Sequence, residues 1–195
     1  NTVIYYAPTI LSDTGMGNSA ALAATMIVGV VNVVFTVVAI LLLDRVGRRV
    51  LLLTGTVGLL VGLLILGAYF SSPMLQNNYG WMALAGLLVF IMSFAIGLGP
   101  VFWLMISEIF PVGSRSKAMS LCTIFNWGAN FLVAETFLTA SKDIGRNGIF
   151  FLYAGLAVLS ILFFVFRVPE TKNRSLEEIQ SDLVGEDVAP AARTA

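Results

Sequence analysis

Five separate stretches of this chain are each long and apolar enough to cross a lipid bilayer. They cover residues 20–43, 50–70, 81–106, 118–140 and 149–168. A span needs about 18 or more mostly apolar residues. Inside hydrocarbon every backbone N–H and C=O must be bonded within its own segment, so these spans are helices. Alternation with period two is absent, which argues against a β-barrel. The expected fold class is therefore an all-α membrane protein. Composition agrees, with 58% hydrophobic and 11% charged residues. A soluble domain has roughly 45–50% and about 25%. The formal net charge is zero, so no overall field draws in nucleic acid.

Residues 1–10 look like the outer end of a sixth span already under way at Asn1. The chain is thus expected to be a fragment of a longer protein. Its basic residues set the orientation, because cytoplasmic loops carry the excess of Lys and Arg. Arg45, Arg48 and Arg49 lie in one connection, Arg115 and Lys117 in a second, and Arg167, Lys172 and Arg174 after the last span. Connection 71–80 has none, and the next outer one has only Lys142 and Arg146. The basic connections and the C-terminus are expected in the cytoplasm of a multi-pass cell-membrane protein. Ser175-Leu176-Glu177-Glu178 reads as a capping box, with Leu176, Ile179 and Leu183 on one helical face. A short amphipathic helix follows from it. Beyond about Gly185 the Ala/Pro-rich tail reads as disordered.

Polar groups inside spans are costly and tend to face a cavity or a neighbouring helix. Thr25, Gly29, Asn32 and Thr36 form one stripe, Thr25 and Thr36 differing by only ~20° around the helix. In the third full span, Gly97, Gly99 and Pro100 weaken the helix, and Trp103 follows Gly99 by one turn. Broken helices at membrane depth line cavities or are packed by neighbours. An indole suits the apolar face of a sugar, and its N–H suits a hydroxyl. In the fourth span Asn126 and Asn130 share a face beside Trp127. Each amide both donates and accepts, as reading a hydroxyl requires. The same residues also fit amide bonds and close packing between helices, as the Gly58/Gly62 pair does. Glu135 lies nine residues past Asn126, ~180° around the helix and off that face.

Other chemistry finds no support. The lone Cys122 excludes an internal disulfide, and no Cys/His cluster suggests a metal. There is no phosphate-binding Walker motif. A channel needs a continuous polar lining, and an enzyme needs a reactive acid, base or metal set. Neither pattern is present, so the chain is not expected to be an enzyme.

Tyr5-Tyr6-Ala7-Pro8, Asp44-Arg45-Val46-Gly47-Arg48-Arg49, Gly99-Pro100-Val101-Phe102-Trp103, Ser107-Glu108-Ile109-Phe110-Pro111 and Pro169-Glu170-Thr171-Lys172 occur in that order. Together they resemble the sugar porter family of the major facilitator superfamily, over nearly the whole chain. That family includes bacterial sugar–proton symporters and animal facilitative glucose transporters. The resemblance implies a twelve-helix fold of two six-helix halves, working by alternating access. This chain would be the C-terminal half: 1–10 the end of a truncated seventh helix, 20–168 helices eight to twelve, and 169–195 a cytoplasmic tail. Asn1, Asn32, Gly99, Trp103, Asn126 and Trp127 match substrate contacts. Tyr5 and Tyr6 match an outer gate. Asp44, Arg48, Arg49, Glu108, Arg115 and Glu170 match an inner charge network. The implied substrate is a monosaccharide, most of all a hexose, with pentoses and polyols as alternatives. No cofactor is implied. A proton would be co-substrate in a symporter, but the acid that couples it sits on the first helix, outside this chain. The implied partners are the sugar, the bilayer and the N-terminal half.

Overall fold

A computed structural model of the chain describes residues 2–12, 18–172 and 174. All regular structure among them is α-helical. The helices are α1 (Thr2–Tyr5), α2 (Ala7–Ser12), α3 (Asn18–Val46), α4 (Arg48–Ser71), α5 (Pro73–Asn78), α6 (Trp81–Ile96), α7 (Leu98–Ile109), α8 (Val112–Asp143) and α9 (Gly145–Arg167). Asn1 and the capping box with its amphipathic continuation lie outside the described residues.

Helix α4 is the hub, packed on α6 at one side and α9 at the other, with α3 against α6. Leu63 and Leu66 of α4, Leu87 and Ile91 of α6 and Ile149 and Phe150 of α9 fill the core between them. Lipid tails are as apolar as leucine, so helices associate in a bilayer through close contact rather than by escaping water. Small residues provide that contact here. A Cβ on Gly55 would meet the Cα of Gly97 at 2.5 Å, and one on Gly62 would meet the backbone N of Phe90 at 2.8 Å.

Four helical stretches, Ser19–Val46, Arg48–Ser71, Trp81–Ile109 and Gly145–Arg167, are long and apolar enough to cross a membrane. The fifth expected span is present as α8 but is not among these four. At 1.5 Å per residue its 32 residues extend about 48 Å, well beyond a hydrocarbon core of about 30 Å. Its apolar run is interrupted by Asn126, Asn130 and Glu135. Only Phe137 is buried on α8 among the described residues.

Helix ends differ from the sequence expectation in one consistent way. Asp44 and Arg45 end α3, Arg115 and Lys117 lie in the first turns of α8, and Arg146 begins α9. Hydropathy marks where hydrocarbon ends. Backbone hydrogen bonding continues past it, so charged residues expected in loops are helical. The break expected around Gly97–Pro100 falls at Gly97 (φ −98°, ψ −81°). Pro100 then sits in the first turn of α7, where an N–H would have no acceptor within the helix, so its absence costs α7 no bond. The first element, expected as one helix end over 1–10, is two short helices parted at Tyr6 and reaching Ser12.

Candidate substrate site and charge cluster

The ends of α4, α7 and α9 meet in a cluster of charges. Glu170, just past α9, places its carboxylate on the first turn of α4. Its Oε1 accepts from the backbone N–H of Arg48 at 2.9 Å, and its Oε2 from that of Arg49 at 3.1 Å. Oε1 also accepts from the N–H of Thr171 and of Lys172, each at 3.0 Å. The opening N–H groups of a helix have no partner within it and carry its positive dipole end. An anion there satisfies both demands, and here the chain provides its own.

The side chains extend the cluster. Arg48 Nη2 donates to Glu108 Oε1 at 3.2 Å, and Arg48 Nη1 lies 3.3 Å from Asp44. Asp44 is 87% exposed, so its pair adds little, whereas Arg48 and Glu108 are only 14% and 20% exposed. Thr171 donates its hydroxyl to Glu108 Oε2 at 2.5 Å. Arg49 reaches the Val165 carbonyl of α9. Lys172 Nζ donates to the Arg45 carbonyl at 2.6 Å, so a residue that reads in the sequence as simple membrane anchoring is tied into the turn.

Arg115 departs from the expected network. Its Nε donates to the Phe110 carbonyl at 3.2 Å, five residues back, and its Nη2 is buried without a partner among the described residues. No hydrogen bond or ion pair joins it to Glu108 or Glu170 among the described residues. Five of the six expected network residues therefore converge, and Arg115 stands apart. Thr171 and Gly47 also touch the cluster, and the sequence reading quoted both within its motifs without giving either a place in the network.

Gly47 is required on two counts. Its φ of 104° and ψ of 155° lie where essentially only glycine is found. A Cβ on it would also meet Glu170 Oε2 at 2.7 Å. Gly47→Ala should therefore destabilise the protein by about 1–3 kcal/mol through the backbone alone, with a further loss from displacing Glu170. Thermal unfolding of the purified full-length protein measures this. An unchanged melting temperature would mean that Glu170 leaves the helix end at no cost.

The expected substrate residues sit on neighbouring helices, since α7 touches both α3 and α8. Asn32 on α3 and Asn126 on α8 are half-buried, as is Gly99, while Trp103 on α7 and Trp127 on α8 are 39% and 52% exposed. No hydrogen bond or ring contact joins these side chains to one another among the described residues. Neither amide has a hydrogen-bond partner there. The threonines of the same α3 stripe differ, because Thr25 and Thr36 donate to the Ala21 and Asn32 carbonyls of their own helix. A Cβ on Gly29 would meet nothing within 4 Å, so the close packing that its stripe could serve is not formed with described residues. Glu135 is exposed on α8.

The two tyrosines expected at an outer gate are not equivalent. Tyr5 is 59% exposed. Tyr6, at the break between α1 and α2, donates its hydroxyl to the Ala134 carbonyl of α8 at 3.0 Å. Its ring stacks on Phe137 with centroids 4.7 Å apart. Only Tyr6 is therefore anchored to the bundle.

An all-helical, multi-pass membrane bundle with half-exposed amides and indoles on adjoining helices, and a charge cluster locking helix ends, is part of a major facilitator fold. The family model described as "Sugar (and other) transporter" matches residues 1–183, and the chain belongs to that family. Among curated proteins it is 43% identical over 188 residues to the facilitated trehalose transporter Tret1 of Bombyx mori, covering 94% of this chain and 37% of that protein. It is 39% identical to the protein of the same name from Polypedilum vanderplanki, covering 95% and 37%. Among solved structures, the proton:xylose symporter XylE bound to 6-bromo-6-deoxy-D-glucose superposes with a TM-score of 0.81 at 37% identity, over 94% of this chain and 39% of that one. The inward-open form of XylE from E. coli gives 0.74 at 34% identity, over 91% and 41%. The chain thus spans less than half the length of these relatives.

Proposed function

We propose that the protein containing this chain carries a sugar across the cell membrane by alternating access, and that the sugar is a hexose taken up together with a proton. Asn32, Gly99, Trp103, Asn126 and Trp127, with Asn1 ahead of them, form the C-terminal wall of its binding site, and Tyr5 and Tyr6 its outer gate. The observation that carries this reading is the pair of amides at Asn32 and Asn126. Both lie within apolar helices, and neither has a partner among the described residues. Unmet amides at that depth cost free energy unless something polar comes to them, and a sugar hydroxyl both donates and accepts. The family membership supports the same reading.

The test is uptake of labelled hexose by the full-length protein in liposomes, with and without an imposed proton gradient. Saturable uptake that the gradient accelerates is the expected result. Uptake indifferent to the gradient would make the protein a facilitative carrier. A second reading has its own support, because the curated relatives above are named as facilitated trehalose transporters. Trehalose that is itself transported, and blocks hexose uptake, would favour it over a monosaccharide. No uptake of either sugar would reject both.

The proposal places the Arg48 end of the bundle and the C-terminus in the cytoplasm, on the basis of the Lys/Arg asymmetry. In a variant lacking reactive native cysteines, Ser71→Cys should react with an impermeant thiol reagent from outside, and Lys117→Cys only from inside. Labelling of Lys117→Cys from outside would reject the orientation.

A further inference from the structure

One backbone contact decides where the broken helix turns. Gly55 of α4 and Gly97, at the break between α6 and α7, are both buried and lie against each other. A Cβ on Gly55 would meet the Gly97 Cα at 2.5 Å and the Ser93 carbonyl oxygen at 2.8 Å. That oxygen accepts the N–H of Gly97 at 3.0 Å, the bond that closes α6. From the other side, a Cβ on Gly97 would meet the Gly55 Cα at 2.8 Å and the Leu51 carbonyl oxygen at 2.9 Å. No side chain separates the two backbones here, so none can change rotamer to absorb a displacement.

The contact with α4 differs on the two sides of the break. Ahead of it, Gly62 seats α6 backbone to backbone, since a Cβ there would meet the Phe90 nitrogen at 2.8 Å and the Gly86 carbonyl oxygen at 2.9 Å. Past it, α7 rests on α4 through side chains, with Val101 and Met105 among Leu51 and Leu52. Apolar side chains can repack, whereas two touching backbones cannot. Helix α7 is continuous from Leu98 to Ile109, so a direction set at Gly97 is carried to Gly99 and Trp103. Trp103 lies six residues past Gly97, about 9 Å along the axis. Helix α4 itself carries none of the expected sugar residues. We propose that Gly55 is a positioning residue for the sugar site: by seating Gly97 it fixes the direction of α7, and with it the place of the Trp103 indole. Its effect on sugar binding rests on the reading of Trp103 as a sugar contact; its effect on the indole does not.

Carbon atoms rest about 3.5–4.0 Å apart, so a methyl on Gly55 moves the break by about 1 Å. A binding constellation tolerates about 0.5 Å. Gly55→Ala in the full-length protein should therefore weaken hexose binding by about tenfold, the worth of one contact. In a version with every other tryptophan replaced by Phe, it should also shift the emission maximum of Trp103 and its quenching by acrylamide. Gly62→Ala makes a similarly tight collision, but against α6, and is the control for packing alone. It should lower the melting temperature as Gly55→Ala does, while Trp103 emission and hexose affinity stay near wild type. Gly97→Ala fills the same contact from the other side and takes the place of Gly55→Ala if that variant does not fold. Wild-type Trp103 emission in folded Gly55→Ala or Gly97→Ala would overturn the proposal, whatever the affinity. So would the same changes in Gly62→Ala, which would reduce the contact to ordinary packing. Altered emission with unaltered affinity would support the seat at Gly97 and overturn instead the reading of Trp103 as a sugar contact.

Discussion

Asn32→Ala and Asn126→Ala should each weaken sugar binding in the full-length protein by about one to two orders of magnitude. An unpaired polar group in a site built to bond it costs about 1–3 kcal/mol, and each 1.4 kcal/mol is tenfold in affinity. Both amides lie in apolar helices, half-buried and without a partner among the described residues. Truncating them therefore removes no bond within this chain, and the fold should persist. Trp103→Ala should also weaken binding, through loss of an apolar surface for the sugar ring. Trp103 itself touches Phe102 edge-on, with centroids 5.1 Å apart, and is 39% exposed. Its removal leaves the buried core of α7, at Val101 and Met105, in place. Equilibrium binding of labelled hexose, with expression matched, is the measurement. Wild-type affinity in both asparagine variants would leave the amides as contacts between helices and take the sugar site elsewhere.

How far the sequence could be read depended on whether one segment or several decide a feature. Hydropathy is local to a segment, so the spans were legible, including the break before Pro100. Helix α8 shows the limit of that signal. Its asparagines and Glu135 lower its hydropathy, yet its hydrogen bonding runs unbroken from Val112 to Asp143. The acidic and basic members of the cluster were legible as ordered motifs, but their connectivity was not. Glu170 meets Arg48 across 122 positions of sequence, and it bonds the backbone rather than the guanidinium. No side-chain pairing rule reveals that contact. The one local sign is Gly47, whose missing Cβ is what lets the carboxylate approach. The position of Arg115 outside the cluster was not legible either, because a motif fixes residue types and not rotamers, and in this structure its side chain turns back to Phe110. The unequal anchoring of Tyr5 and Tyr6 likewise depends on α8, more than a hundred residues away.

Glu170→Ala should shift the full-length protein towards its inward-open state, and far more than Arg115→Ala does. The Glu170 carboxylate accepts four backbone N–H bonds, two from the start of α4 and two from its own turn. Hydrogen bonds to a charged group contribute about 1.5–3 kcal/mol each in favourable cases. Loss of only the two that reach α4 would change a two-state balance by about two to four orders of magnitude, at 1.4 kcal/mol per tenfold. The shift follows only if those bonds exist in one state and not the other. That is the role proposed here, with the cluster tying α4, α7 and the end of α9 together while the inner mouth is closed. Glu170→Gln should be nearly as disruptive, because its amide has one acceptor oxygen and turns an NH₂ towards donors. Arg115 makes no bond to the cluster, and truncating it removes a buried nitrogen that has no partner among the described residues. Electron–electron resonance distances between a label at Lys117 and one across the inner mouth, on the other half of the protein, read the outcome. Longer distances in both Glu170 variants, with Arg115→Ala close to wild type, are expected. Unchanged distances in the Glu170 variants would reduce the cluster to a fixed brace within one half. An equal shift in Arg115→Ala would mean that Arg115 joins the cluster in the working protein.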